Sequence, residues 1–222
     1  MVLESLRGRF QPYIARLARP YLGWSPGNLS RLALALAVAA GLAALAVRWT
    51  TPYLFLAVAA LVFFAGLFDV LDGEVARTTG RSSVRGDFVD HVYDRYADIA
   101  ILLGVAFSTY ANPILALLAL ASLLLVSYMG TQAQAMGQGR LYAGLLSRAD
   151  RLVVIALATF LEFDWSLPWP WAPAAPWARF HVGGVEFTVI DVALAYFVIA
   201  GQWTAVARAW RVYRALPPAG PG

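Results

Sequence analysis

The sequence predicts an all-α polytopic membrane protein with six transmembrane helices and an N-terminal amphipathic juxtamembrane helix. Hydrophobic residues make up 60% of the 222 residues, and the mean hydropathy is +0.64. Charged residues make up only 14%, whereas soluble domains carry about 25%. Apolar stretches of about 20 residues recur along the chain, and this is the length that a helix needs to cross the hydrocarbon core of a bilayer.

The six spans follow from the continuity of these apolar stretches. They are predicted at residues 31–48, 52–73, 88–108, 112–135, 149–164 and 188–210. Most connections between them are short. The exception is the segment 163–187, whose prolines exclude a long helix and whose tryptophans are typical of a membrane–water interface.

The residues before the first span form a segment of their own. Apolar side chains recur at three- and four-residue steps between residues 3 and 21, with arginines interleaved. This pattern predicts an amphipathic helix on the inner leaflet, and a helix packed against the bundle is the alternative. The predicted organisation is therefore an interfacial segment at 1–30, a six-helix membrane domain at 31–214 and a disordered tail at 215–222.

The arginines predict the orientation of the spans. The chain contains no Lys, and fifteen of its seventeen Arg residues fall on the side that also holds both termini; only Arg48 and Arg179 fall opposite. Because positive residues collect on the cytoplasmic side of cell membranes, both termini and the loop between spans 2 and 3 are predicted to be cytoplasmic. A net charge of +4 that faces lipid and cytosol gives little support to a nucleic-acid partner. The absence of Cys excludes disulfides, thiolate metal sites and cysteine nucleophiles.

Four aspartates lie where spans 2 and 3 meet the cytoplasm. Asp69 and Asp72 are three residues apart, so they share a helix face. Asp90 and Asp94 are four apart and share another. Since a short loop joins the two helix ends, both faces can meet in one cavity that opens to the cytosol. Four ionised carboxylates at membrane depth are unfavourable unless cations compensate for them.

Three sources of compensation are open. Arginines such as Arg77 and Arg95 could form ion pairs with the aspartates, divalent metal ions could bind to them, or they could form a cation or proton pathway. Clustered hard oxygen ligands suit Mg²⁺, Mn²⁺ or Ca²⁺, whereas a pathway predicts carboxylates spread through the bilayer. Gly73 and Gly86 would let a ligand approach the helix backbone, although a single glycine can also simply ease helix packing.

Together these residues form a pattern that resembles the signature of the CDP-alcohol phosphotransferase family. The pattern reads Asp69-x-x-Asp72-Gly73-x-x-Ala76-Arg77, eight further residues, then Gly86-x-x-x-Asp90-x-x-x-Asp94. Eight fixed positions within 26 residues make a chance match improbable. The resemblance implies a membrane enzyme, a homodimer, that transfers a phosphatidyl-type phosphate group from a CDP-linked lipid to a polar alcohol and releases CMP.

The resemblance also implies roles for individual residues. Two divalent cations, Mg²⁺ or Mn²⁺, would be bound by Asp69, Asp72, Asp90 and Asp94. The cytidine and diphosphate would lie against Asp69, Gly73, Ala76, Arg77 and Gly86. Asp94 would in addition be the catalytic general base that removes the proton from the acceptor hydroxyl.

The acceptor is inferred from residues outside the signature. The sequence after Asp94 reads DRYAD and is similar to that of the phosphatidylinositol-phosphate and archaetidylinositol-phosphate synthases of the family. This similarity implies that Ser127 and Arg151 bind an acceptor phosphate, and Arg148 shares a helix face with Arg151. Both arginines could instead set the topology or bind lipid phosphates. Those synthases place a basic residue where this chain has Gly130. The similarity makes inositol 1-phosphate the expected acceptor. The missing basic residue keeps glycerol 3-phosphate, inositol and serine as alternatives. The expected lipid is of the diacylglycerol or archaeol type.

Overall fold

The computed structural model describes residues 7–139, 145–167, 179–182 and 185–216, and most of these residues are helical. Within them the α-helices are α1 Arg7–Ala18, α2 Pro26–Ala46, α3 Leu54–Thr78, α4 Val84–Ala106, α5 Pro113–Ala135, α6 Arg148–Ser166 and α7 Val189–Ala215. Short 3₁₀ turns follow α1 and α2 at Arg19–Tyr21 and Val47–Trp49. An antiparallel hairpin precedes α7 and consists of β1 Arg179–Val182 and β2 Val185–Thr188.

The helices α2 to α7 overlap the six predicted spans. Among the described residues, four of them are long and apolar enough to cross a membrane: α2 with its 3₁₀ extension, α3, α5 and α7. The helices α4 and α6 carry charged residues close to the aspartate cluster, which lowers their hydropathy. Membrane character is thus supported by four helices, and the count of six spans stays a prediction.

The ends of the helices differ slightly from the predicted domain limits. The predicted interfacial segment 1–30 includes the first residues of α2, because Ser25 caps that helix and Pro26 begins it. At the other end, α7 continues to Ala215, one residue into the predicted tail. Residues 1–6 and 217–222 lie outside the described residues, as do Arg140 and residues 168–178 of the Trp- and Pro-rich connection.

Side-chain caps define where the two charged helices begin. The Ser83 hydroxyl accepts a hydrogen bond from the backbone N–H of Gly86 at 3.0 Å and starts α4. Ser147 and Asp150 form a reciprocal capping box that starts α6. Such caps satisfy backbone N–H groups that have no partner inside the helix. As a result Arg148 is fixed at the first position of α6.

A glycine contact holds α4 against α2. A Cβ on Gly104 would lie 2.0 Å from the carbonyl oxygen of Gly41, and a Cβ on Gly41 would lie 2.2 Å from that of Ala100. Only residues without a side chain allow two helix backbones to come this close. The contact joins the α2–α3 pair to the helix that carries Asp90 and Asp94.

Candidate active site

Residues from all seven helices line a cavity of about 1270 Å³ at one end of the bundle. Every residue that the sequence predicts for the site lines this cavity. These residues are Asp69, Asp72, Gly73, Ala76, Arg77, Gly86, Asp90, Asp94, Ser127, Arg148 and Arg151. The cavity is large enough for a ligand of nucleotide size, since typical small-molecule sites occupy about 300–1,000 Å³.

Three of the four predicted metal ligands converge in this cavity. One carboxylate oxygen from each of Asp69, Asp72 and Asp90 lies within 4.8 Å of the other two. The Oδ2 atom of Asp72 is buried and accepts no hydrogen bond from any residue that the structure describes. A buried carboxylate oxygen without a partner is unfavourable. A divalent cation would satisfy it, and a set of carboxylate oxygens is what Mg²⁺ and Mn²⁺ prefer.

Asp94 is connected to this cluster through Arg148. The Nη1 atom of Arg148 contacts Oδ1 of Asp69 and Oδ1 of Asp94, so one guanidinium joins α3 and α4 from the start of α6. Arg95 adds a weaker contact, with 3.5 Å between its Nη2 and Oδ2 of Asp94. The compensating arginine is therefore mainly Arg148, which the sequence predicts only for the acceptor.

Arg77 does not compensate the aspartates. Its Nη2 lies 3.0 Å from Oε2 of Glu74, one helical turn back on α3. Its Nη1 lies 3.5 Å from where a Cβ on Gly73 would stand, so the side chain folds over that glycine. The ion pairing of Arg77 with the aspartates, one of the interpretations that the sequence left open, is therefore wrong.

The two arginines that were expected to clamp the acceptor contact different aspartates. Arg151 is 6% exposed, and its Nη1 lies 2.7 Å from Oδ2 of Asp98, which is 5% exposed. Ser127 is half-buried and lines the cavity. Asp98 was not among the predicted site residues. Its position four residues after Asp94, on the same face of α4, is the signal that could have revealed it.

Arg208 lines the cavity and was also missed by sequence reasoning. It enters from α7, and its Nη1 donates to the carbonyl oxygen of Val126 at 2.7 Å. The same Nη1 lies 3.1 Å from where a Cβ on Gly130 would stand. A guanidinium from α7 therefore lies beside Gly130, the position at which the resemblance implies a basic residue. The signal in the sequence is the spacing of Gly201, Thr204 and Arg208, which puts small or polar residues on one face of an apolar helix.

A comparison with protein families matches this chain to the CDP-alcohol phosphatidyltransferase family over residues 25–199. A similar protein is the archaetidylinositol phosphate synthase of Methanothermobacter thermautotrophicus, with 37% identity over 110 residues. That match covers 48% of this chain and 56% of the archaeal enzyme, so the chain spans little more than half the length of this relative.

Two solved structures of a phosphatidylinositol phosphate synthase from Mycobacterium tuberculosis share the fold. The one with CDP-DAG bound has a TM-score of 0.70 and 24% identity, over 94% of this chain and 98% of that chain. The one with manganese and citrate has the same TM-score and identity, over 93% of each chain. The fold is thus shared at low sequence identity. The resemblance read from the signature is confirmed by the family match.

Proposed function

The chain belongs to the CDP-alcohol phosphatidyltransferase family, and we propose that it transfers a phosphatidyl-type phosphate group from a CDP-linked lipid to inositol 1-phosphate, releasing CMP. The observation that carries this proposal is the convergence of Asp69, Asp72 and Asp90 in a cavity that arginines also line. The archaetidylinositol phosphate and phosphatidylinositol phosphate synthases that resemble the chain support the acceptor. The lipid is of the diacylglycerol or archaeol type.

Two divalent cations, Mg²⁺ or Mn²⁺, are proposed as cofactors. Their ligands would be Asp69, Asp72, Asp90 and Asp94. When bound, the cations would neutralise the diphosphate and stabilise negative charge on the departing CMP. The buried Oδ2 of Asp72, which accepts no hydrogen bond from the described residues, supports this assignment, and so does the manganese in a structure of the same fold.

Asp94 is proposed as the general base. An oxygen of Asp94 would accept the proton of the acceptor hydroxyl while the hydroxyl oxygen bonds to the lipid-side phosphorus. The bond from that phosphorus to the bridging oxygen breaks, and CMP leaves with the oxygen and the electron pair. Correct placement of the hydroxyl against Asp94 would supply much of the rate. The cytidine and diphosphate would lie against Asp69, Gly73, Ala76, Arg77 and Gly86.

The acceptor phosphate is proposed to bind among Ser127, Arg148, Arg151 and Arg208. Guanidinium groups bind phosphate oxygens through paired charge-assisted hydrogen bonds. The neutral Gly130 would weaken such a site, but the Nη1 of Arg208 lies 3.1 Å from the position of its missing Cβ. Arg208 thus supplies from α7 the positive charge that Gly130 lacks. This favours a phosphorylated acceptor over inositol or serine.

We further propose six membrane spans, with both termini and the cavity on the cytoplasmic side of the cell membrane, and a homodimer. The asymmetry of the arginines supports the orientation. In this arrangement the lipid tails stay in the bilayer, while the nucleotide and the acceptor are reached from water.

The test is CMP release by the purified protein with CDP-diacylglycerol or CDP-archaeol, Mg²⁺ or Mn²⁺, and one acceptor at a time. The acceptors are inositol 1-phosphate, glycerol 3-phosphate, inositol and serine. We expect release with inositol 1-phosphate, and we expect EDTA to abolish it. Faster release with another acceptor would overturn the acceptor assignment, and release with none would contradict the proposed reaction.

A further inference from the structure

Glu74 lies inside the signature pattern at a position that the pattern leaves variable, and it is 5% exposed. Its Oε2 atom accepts hydrogen bonds from Nη2 of Arg77 at 3.0 Å and from Nε2 of Gln11 at 2.8 Å. Its Oε1 atom has a longer contact of 3.5 Å with the hydroxyl of Thr78. One carboxylate therefore joins an arginine of the nucleotide site to a residue 63 positions earlier in the chain.

Gln11 belongs to α1, which packs against the cavity end of α3. The buried Ala18 of α1 forms a small apolar cluster with Leu71 and Val75 of α3. Elsewhere on α1, Phe10 and Leu17 are 47% and 52% exposed and line the cavity. Gln11 thus adds a polar contact to an apolar one, and both keep α1 beside the nucleotide segment.

The side chain of Arg77 is 49% exposed, so packing alone does little to fix it. A long side chain that is free in solution must be ordered when it binds a phosphate, and this ordering weakens binding. The contact with Glu74 orders Arg77 in advance, with its Nη1 beside Gly73 at the cavity wall. Charge-assisted hydrogen bonds are strong enough to hold such a conformation.

We propose that Glu74 positions Arg77 for binding of the CDP group by holding its side chain over Gly73. Through its hydrogen bond to Glu74, Gln11 makes the position of Arg77 depend on the docking of α1. The inference rests on the proposed function, because it assigns Arg77 to the nucleotide. It extends that function by making the N-terminal helix part of substrate binding.

Removal of the Glu74 charge would also have an opposing effect. Without the carboxylate, Arg77 would attract a phosphate more strongly through space. Water screens this attraction at a half-exposed guanidinium, so the loss of ordering is expected to dominate. Tighter CDP binding after removal of the charge would show that the opposing effect wins, and would overturn the inference.

The experiment measures CDP affinity by calorimetry on full-length protein in nanodiscs. We expect Glu74→Gln to weaken CDP binding about tenfold and Gln11→Ala about threefold. The double variant should bind CDP no more than about twofold more weakly than Glu74→Gln, because both changes act on one interaction. In turnover assays the KM for the CDP-lipid should rise, with the KM for the acceptor within about twofold of wild type.

Two matched controls accompany these variants. Arg16→Gln removes a charge from the exposed side of the same helix, and Thr78→Val removes only the longer contact to Glu74. Both should bind CDP within about twofold of wild type. If Glu74→Gln does not fold, Gln11→Ala decides alone, since Gln11 is only half-buried.

The outcomes separate this inference from the function on which it rests. Wild-type protein that binds no CDP contradicts the proposed nucleotide site itself. If the wild-type protein binds CDP and either Glu74→Gln or Gln11→Ala binds it with the same affinity, only the positioning role is contradicted. Additive effects in the double variant would show that Gln11 acts independently of Glu74 and would overturn the link to α1.

Discussion

Asp191, at the start of α7, and Asp72, near the cavity end of α3, are both buried aspartates, but their surroundings differ. The Oδ1 of Asp191 accepts a hydrogen bond from the backbone N–H of Asn112 at 2.7 Å, and its Oδ2 accepts one from that of Thr188 at 3.1 Å. The Oδ2 of Asp72 accepts none from the described residues, and one oxygen of Asp72 lies within 4.8 Å of an oxygen of Asp69 and an oxygen of Asp90. The first arrangement stabilises the fold, and the second is maintained by the rest of the fold at a cost in stability.

This contrast teaches how to separate structural from functional carboxylates in this molecule. A carboxylate whose oxygens are all satisfied by backbone N–H groups should affect stability when it is removed. A carboxylate that repels its neighbours should affect activity, and its removal should leave the free energy of unfolding unchanged or increased.

The largest expected effect is that of Asp94→Asn on the proposed transfer. Loss of a general base lowers rates by about 10²–10⁴-fold, so CMP release should fall about a thousandfold. The melting temperature should fall only modestly, because Asn keeps the shape of the side chain and Arg148 keeps its contact with Asp69. Tyr96→Phe, at a 61% exposed position of the same helix that is not among the residues lining the cavity, is the control and should stay within about twofold of wild type. A rate above one tenth of wild type in Asp94→Asn would remove Asp94 from the role of base.

Asp72→Asn should change the response to metal. A ligand present at 100 times its dissociation constant adds about 2.7 kcal/mol to the free energy of unfolding. We expect Mn²⁺ to stabilise the wild-type protein in this way and to stabilise Asp72→Asn by less than half as much. Melting curves with Mn²⁺ and with EDTA measure the difference. Equal stabilisation of both proteins would mean that Asp72 is not a metal ligand.

Asp191→Ala should show the reverse behaviour. The change removes the acceptor of a buried N–H group, that of Thr188, and of a part-buried hydrogen bond from Asn112, so the free energy of unfolding should fall by about 2 kcal/mol. The rate of CMP release per folded molecule should stay the same, because Asp191 lies about 26 Å along α7 from Arg208. Chemical denaturation and turnover of the soluble fraction check both statements. A loss of turnover at unchanged stability would contradict the assignment of Asp191 as a structural carboxylate.

Arg208→Gln should have the smallest effect of the four and should be confined to the acceptor. We expect the KM for inositol 1-phosphate to rise about tenfold, or roughly 1.4 kcal/mol, with the KM for the CDP-lipid unchanged. Gly130→Lys in the Arg208→Gln background should restore part of the affinity, because the guanidinium that fills the space beside Gly130 is then gone. An equal rise in both KM values would place Arg208 outside the acceptor site.

The helices and the pairing of aspartates on common faces could be predicted because both depend on local periodicity. The signature residues also indicated the family, since their spacing reflects which residues must share a helix turn. The role of Arg77 was harder to predict. Helix spacing favours its pair with Glu74, three residues earlier, but the hydrogen bond that Gln11 of α1 adds to Glu74 depends on packing.

The sequence by itself determined the class of protein, the helices that carry the site and the aspartates that form its centre. Tertiary structure alone decided the long-range contacts of Arg148 with Asp69, Gln11 with Glu74 and Arg208 with Val126, which join residues 79, 63 and 82 positions apart. The physical reason is that helix periodicity sets which residues share a face, but not how each helix is rotated against its neighbours. That rotation is set by packing, as where the backbones of α2 and α4 meet at Gly41 and Gly104.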